Sequence, residues 1–172
     1  MALLPIITAP DPLLKRISTP VAAVDDDIRT LMDDMLDTMY DAPGIGLSAI
    51  QVGVPKRVVV VDVANDDSPR APLRMANPEV IWSADEFGLH EEGCLSLPEQ
   101  YAEVERPVAI EVSFLDYDGK AQRLKAENLL ATCLQHEIDH LDGLLFVDHI
   151  SMVKRQMILR KLQKMKRQKA TA

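Results

Sequence analysis

Residues 127–143 read ENLLATCLQHEIDHLDG, and His136-Glu137-Ile138-Asp139-His140 lies inside them. The pattern predicts a helix that begins at Glu127 and ends at Gly143, a residue type common just past a helix end. Residues four apart share a helix face, so His136 and His140 point at one spot. Glu137 lies close enough to handle a proton on a metal-bound water. Two histidines and a glutamate in this spacing are the arrangement of metal-dependent hydrolysis. The same five residues also suit an ordinary helix with two half-buried histidines. A third ligand decides between them.

Catalytic sites of this kind take three protein ligands and leave one position open. A third His six residues after His140 would fall on Phe146, although Gly143 fits the extended pattern. No acidic residue follows Asp148, and His149, nine residues past His140, matches neither usual spacing. The missing ligand therefore lies upstream. Cys133 and His140 are seven residues apart, about 10 Å along a helix axis, too far to share one ion; Cys133 reads as a small apolar residue of the inner face. Cys94, in Glu92-Gly93-Cys94-Leu95-Ser96-Leu97-Pro98, leaves two readings. It completes a Cys-His-His set, or it is an inert buried thiol.

Gly44-Ile45-Gly46-Leu47-Ser48-Ala49-Ile50-Gln51, the Glu92–Ser96 segment and His136–His140 together resemble the three motifs of peptide deformylases, GxGxAAxQ, EGCxS and HExDH, in that order. The resemblance runs over nearly the whole chain. Ser48 departs from it, standing where the family usually has Ala, and Leu97-Pro98-Glu99-Gln100 is closer to the Gram-negative bacterial branch than to the SxPG form of others. The resemblance implies removal of the formyl group from N-formylmethionine at the start of new polypeptides. Cys94, His136 and His140 would bind one divalent metal, ferrous iron in the cell, with zinc, nickel or cobalt able to replace it. Glu137 would be general base and acid toward the metal-bound hydroxide. The Gln51 amide and the Leu95 N–H would stabilise the oxyanion, and Gly46, with Ile45 beside it, would hold the substrate backbone.

Several residues stay open. Glu92 and Arg106 form either a supporting ion pair for the cysteine loop, as the resemblance implies, or two solvated charges. Glu92 and His90 are candidate groove residues, although a surface position is the simpler reading of His90. Leu129, Thr132 and Cys133 share the inner helix face and line either a methionine-sized pocket or plain core. Asp139 either orients a ligand imidazole or is exposed. Two other functions compete: a metallopeptidase cleaving internal amides, and a structural metal site on a ribosome- or RNA-binding module.

At 172 residues the chain fits one domain. Aromatics make up only 4%, so Leu, Ile, Val and Met must build the core. Two cysteines argue for a reducing cytoplasm rather than a disulfide framework. No stretch approaches the ~20 apolar residues of a membrane span, and the brief apolar start, Met1 to Pro10, lacks a basic leader.

The organisation reads as α+β, with small antiparallel sheets around a central metal-bearing helix and a C-terminal helix. Asp25 or Asp26 caps a helix to about Tyr40, with Ile28, Leu31, Met32, Met35, Leu36 and Met39 on one face. Residues 57–63 read as a buried strand. Strands are expected near 73–83, 86–90, 101–105 and 108–116, punctuated by Pro78, Pro98 and Pro107. Asp118-Gly119 turns a hairpin into 120–126. Residues 65–72 read as a mobile loop.

Residues 1–150 are expected to form the catalytic domain, and 151–172 a basic helix and tail of the same domain. That tail holds eight of the nineteen Lys and Arg and no acid, leaving 11 basic against 27 acidic residues elsewhere. Ser151 is its expected cap, with Met152, Val153, Met157, Leu159, Leu162 and Met165 as apolar positions. A basic helix suits nucleic acid or an anionic surface. The resemblance implies docking on the ribosome. Packing on the chain's own acidic body is the competing reading.

Overall fold

Four consecutive valines, Val58–Val61, form a central strand in this computed structural model, which describes residues 2–171. Successive side chains of a strand point to opposite faces. Val58 and Val60 pack on one side with Ile28, Met32, Met35 and Met39, while Val59 and Val61 pack on the other with Met75, Ile110, Leu134 and Ile138. One sheet is thus buried between two helices, and both faces of its central strand must be apolar.

The first of these helices, α1 (Asp26–Asp41), is capped by the Asp25 carboxylate, which accepts from the Ile28 N–H at 2.9 Å. Strands β1 (Gly46–Ser48), β2 (Val58–Val61), β3 (Leu73–Ser83), β6 (Ala109–Leu115) and β7 (Ala121–Glu127) make the antiparallel sheet, ordered β1-β2-β3-β6-β7. A separate hairpin consists of β4 (Phe87–Cys94) and β5 (Leu97–Pro107). Helix α2 (Asn128–Leu141) follows β7 and crosses the sheet's inner face, with Glu127 as its N-cap residue.

Helix α3 (Met152–Thr171) starts at Ser151, whose hydroxyl accepts from the Lys154 N–H at 3.3 Å. It seats Ile158 and Leu162 in a third apolar cluster with Leu14, Leu97, Val104 and Phe146. Among the described residues no helix is long and apolar enough to cross a membrane.

The α+β expectation holds, with local differences. Strands β4 and β5 run longer than 86–90 and 101–105, because each completes the other's ladder from Phe87↔Pro107 inward. Pro78 and Pro98 lie inside strands rather than ending them. Pro78 follows Asn77 (φ 50°) at a register shift between β3 and β6, where a bulge releases the ladder from needing its N–H. Three-residue β1, hidden in the Gly-rich motif, carries no periodicity long enough to read. The segment after β2 is irregular, but its neck is tied: Asp62 accepts from the Tyr40 hydroxyl and from the Ala64 and Ala71 N–H groups. On α3, Met152, Val153 and Met157 are exposed, and Ile158 takes the buried place.

Candidate metal centre

Helix α2 turns His136, Glu137 and His140 toward the tip of the β4–β5 hairpin, which delivers Cys94. His140 Nε2 lies 3.4 Å from Cys94 Sγ and 3.2 Å from His136 Nε2. The three ligand atoms all fall within 4.8 Å of one another. Ligands 2.0–2.3 Å from a tetrahedral ion stand roughly 3.3–3.8 Å apart. One thiolate and two imidazoles at these distances fit a single divalent cation with one position left for water. Cys133 takes no part in this cluster; its buried thiol donates to the Ile45 carbonyl at 3.6 Å.

What aims His136 is a buried ion pair. Arg106 Nε donates to Glu92 Oε2 at 2.6 Å and Nη2 to Oε1 at 2.9 Å. A carboxylate only accepts, so the His136 Nδ1–H donates to Glu92 Oε1, at 3.0 Å. The lone pair of His136 then sits on Nε2, facing His140 Nε2. Burial by itself would raise the Glu92 pKa, but hydrogen bonds from His136 and Arg106 carry it down to about 2. This settles the open pairing of Glu92 with Arg106: both are about 95% buried and form the support of the cysteine loop. Asp139 does not reach a ligand imidazole; it accepts from Arg106 Nη1 and from His149 Nε2, both at 2.8 Å.

The electrostatics favour a cation. Burial works to lower the His136 pKa, yet Glu137, Cys94 and Glu92 hold it well above the ordinary value. Burial and the neighbouring His136 push His140 well below it. Surroundings that favour a proton on His136 favour a divalent ion in the proton's place. Burial raises Glu137 to about 7, with Glu92 adding to the effect and His136 opposing it. Its Oε1 is buried with no hydrogen-bond partner among the described residues, and its Oε2 lies 4.0 Å from His136 Nε2. A carboxylate in that state is suited to taking and returning a proton.

A groove of about 680 Å³ opens over these groups. Gly46 forms part of its wall because nothing larger fits there. A Cβ at that position would stand 2.6 Å from Glu137 Oε2 and 2.8 Å from Cys133 Sγ. Gly93 likewise lies under the Tyr101 ring, 2.5 Å from where its Cβ would be. Gln51 is held at both ends: its Oε1 accepts from the Ser48 N–H (2.9 Å) and Oγ–H (3.0 Å), and its Nε2 donates to Ser96 Oγ (3.0 Å) and Cys94 Sγ (3.5 Å). Ser48 therefore adds a second donor that fixes which end of the amide faces the cysteine. Leu95 and Ser96 form the two-residue tip between Cys94 and Leu97, where a loop N–H is not consumed by the ladder.

Ile45, Leu129, Thr132 and Cys133 line the groove, and Ile45 and Leu129 are exposed in it. His90 does not. It shares the inward face of β4 with Glu92 but sits two residues farther from the hairpin tip, outside the groove lining. Sequence reasoning missed Ser96 on Gln51 and His149 on Asp139. Only the hydroxyl of Ser96 and the imidazole of His149 signal such pairings, and nothing in their spacing does.

One thiolate, two imidazoles, an adjacent buried carboxylate and a side-chain amide over an open groove define a mononuclear metal-dependent hydrolase. Comparison with known proteins narrows the class. The chain belongs to the polypeptide deformylase family, whose family model matches residues 3–156. It is 58% identical over 164 residues to the peptide deformylase of Rhizobium meliloti (strain 1021), covering 95% of this chain and 94% of that protein. A crystal structure of peptide deformylase from Ehrlichia chaffeensis superposes with a TM-score of 0.93 at 39% identity, covering 98% of this chain and 99% of that one. The Ehrlichia enzyme in complex with actinonin gives the same TM-score at 41% identity, over 97% and 99%.

Proposed function

We propose that Cys94, His136 and His140 hold the single metal ion, ferrous iron in the cell, with which this chain removes the formyl group from N-terminal formylmethionine. The observation that carries the reading is the meeting of these three ligand atoms within 4.8 Å beside the buried Glu137 carboxylate. A divalent ion held there would supply a water acidic enough to act as nucleophile near neutral pH. Glu137 would hold the proton released and return it to the departing amine, which is otherwise a poor leaving group. The Leu95 N–H and the Gln51 Nε2 hydrogen that otherwise makes the long 3.5 Å contact with Cys94 Sγ donate to the developing negative charge on the formyl oxygen; one such donor is worth on the order of 3–4 kcal/mol. Ile45 and Gly46 hold the substrate backbone along the groove edge, and Leu129, Thr132 and Cys133 contact the methionine side chain.

A thiolate makes the metal softer and leaves a ferrous centre open to oxidation. Metal analysis after anaerobic purification should find one iron per chain; zinc at full occupancy with undiminished activity would overturn the iron assignment. The protein should cleave formyl-Met-Ala-Ser and leave N-acetylated and internal amides intact. Glu137→Gln should keep the metal and lose turnover.

Residues 1–150 act as the catalytic part, and 151–172 as a basic helix of the same domain that docks on the ribosome, in a reducing cytoplasm suited to two free thiols. Support comes from eight Lys and Arg without an acid, and from Met152, Val153 and Met157 standing exposed at the root of α3. Truncating α3 would uncover the seat of Ile158 and Leu162, so charge reversal is the cleaner test. Lys154→Glu with Lys161→Glu should abolish ribosome binding in a sedimentation assay and spare activity on small peptides; unchanged binding refutes docking.

A further inference from the structure

His149 matches no ligand spacing, yet it ends an unbroken chain of hydrogen bonds that starts at the metal site. His149 Nε2 lies 2.8 Å from Asp139 Oδ2, which also accepts from Arg106 Nη1 at 2.8 Å. Arg106 grips Glu92 with its other two nitrogens, at 2.6 and 2.9 Å. Glu92 Oε1 meets His136 Nδ1 at 3.0 Å.

The chemistry of the members fixes the direction of every link. Arg106 only donates and the two carboxylates only accept. Both histidines at the ends must therefore carry their hydrogen on the nitrogen facing the chain. At the inner end this leaves His136 Nε2 as the ligand atom. At the outer end His149 donates to Asp139 from the solvent side.

Burial shows where the chain is weakest. The Arg106 and Glu92 side chains are 5% and 4% exposed, whereas Asp139 is 20% and His149 32% exposed. The inner pair is held by its surroundings, but Asp139 borders water and is fixed from that side by His149. The same short 3-10 segment, Phe146–His149, also lays Phe146 against the His136 ring, stacked at 6.2 Å between centroids. One segment, immediately before α3, thus touches the ligand imidazole directly and through four linked side chains.

We propose that His149 is a positioning residue of the metal site: by holding Asp139 on Arg106 it keeps Glu92 on His136 Nδ1 and so keeps His136 Nε2 aimed at the metal. This rests on the reading of Cys94, His136 and His140 as ligands. Outer partners of metal-bound imidazoles are typically worth about 10–100-fold in affinity or activity, and His149, the outermost link, belongs at the lower end of that range.

The test uses the full chain loaded with Co(II), comparing wild type, His149→Ala and His149→Gln, whose amide can replace the Nε2 donor. Three readouts are taken: cobalt affinity by chelator competition, the ligand-field absorption of the bound cobalt, and kcat and KM on a formylated peptide. His149→Ala should weaken cobalt binding about tenfold, shift the visible bands, and lower kcat with KM within twofold, and His149→Gln should restore most of each. Wild-type affinity and spectrum in His149→Ala overturn the proposal even if its Tm falls, since a merely structural role would move only Tm. A wild-type chain that takes up no cobalt, or whose bands survive Cys94→Ser, overturns the ligand assignment and the proposal together.

Discussion

Arg106 and Glu92 form a two-bond ion pair on adjacent strands of the β4–β5 hairpin, with Nε–Oε2 at 2.6 Å and Nη2–Oε1 at 2.9 Å. Both are almost fully buried, so neither charge has water to fall back on. Breaking one partner of such a pair typically costs about 3–5 kcal/mol, because the other charge is left uncompensated. Arg106→Ala should lose stability on that scale in urea unfolding and should also weaken metal binding through Glu92 and His136. Arg106→Lys should recover only part, since a single ammonium cannot fill the fork. Full recovery by lysine would show that charge rather than geometry matters here.

The same pair sets an acid limit. The Glu92 carboxyl is held down from 4.5 to about 2 by His136 and Arg106 against the opposing effect of burial. A carboxylate whose folded pKa is depressed contributes stability above its unfolded pKa and loses it as pH falls through the folded one. Stability should therefore drop by roughly 3 kcal/mol between pH 4.5 and 2, and Glu92→Gln should flatten that limb. Glu137 acts in the opposite sense in the metal-free protein. Raised from 4.5 to about 7 by burial, it opposes folding increasingly as pH rises across that interval. Metal-free Glu137→Gln should lose this decline, and an unchanged slope from pH 4.5 to 7 would show that Glu137 does not titrate there.

Gly46 leaves room for the Glu137 carboxylate. A Cβ there would stand 2.6 Å from Glu137 Oε2 and 2.8 Å from Cys133 Sγ, so one of the two must move. Displacement of a catalytic group by about 1 Å can cost on the order of 100-fold in rate. Gly46→Ala should lower kcat/KM on that scale while metal content stays at one per chain. A rate within threefold of wild type would mean that Cys133, not Glu137, gives way.

The two cysteines should separate cleanly. Cys94→Ser should lose most bound metal and most activity, because Cys94 Sγ stands 3.4 Å from His140 Nε2. Cys133→Ser should keep the metal, since the Cys133 thiol faces the Ile45 carbonyl. Its pKa is pushed well up by burial, with Glu137 and Glu92 adding to it, so it stays a neutral thiol. Retained metal in the Cys94 variant would remove Cys94 from the ligand set.

Local sequence determined a good deal of this protein. Helical spacing put His136, Glu137 and His140 on one face, an aspartate at position 25 or 26 marked the start of α1, and the run of valines marked β2 as a buried strand. Those features depend on neighbours within a few residues, so periodicity and capping expose them. Cys94 as a candidate third ligand needed elimination, and Gln51 needed the deformylase resemblance, because both lie more than thirty residues before α2.

Tertiary structure alone decided which charges meet. Glu92 reaches His136 across 44 residues and Arg106 reaches Asp139 across 33, pairings set by how the hairpin packs on α2. It also sent His90 away from the groove, since along β4 a shift of two residues moves a side chain past the site while keeping its face. Tertiary structure likewise chose Ile158 and Leu162 as the buried contacts of α3 and left Met152, Val153 and Met157 outside. Pattern shows that a helix is amphipathic; only the surface it packs on determines which stripe is covered.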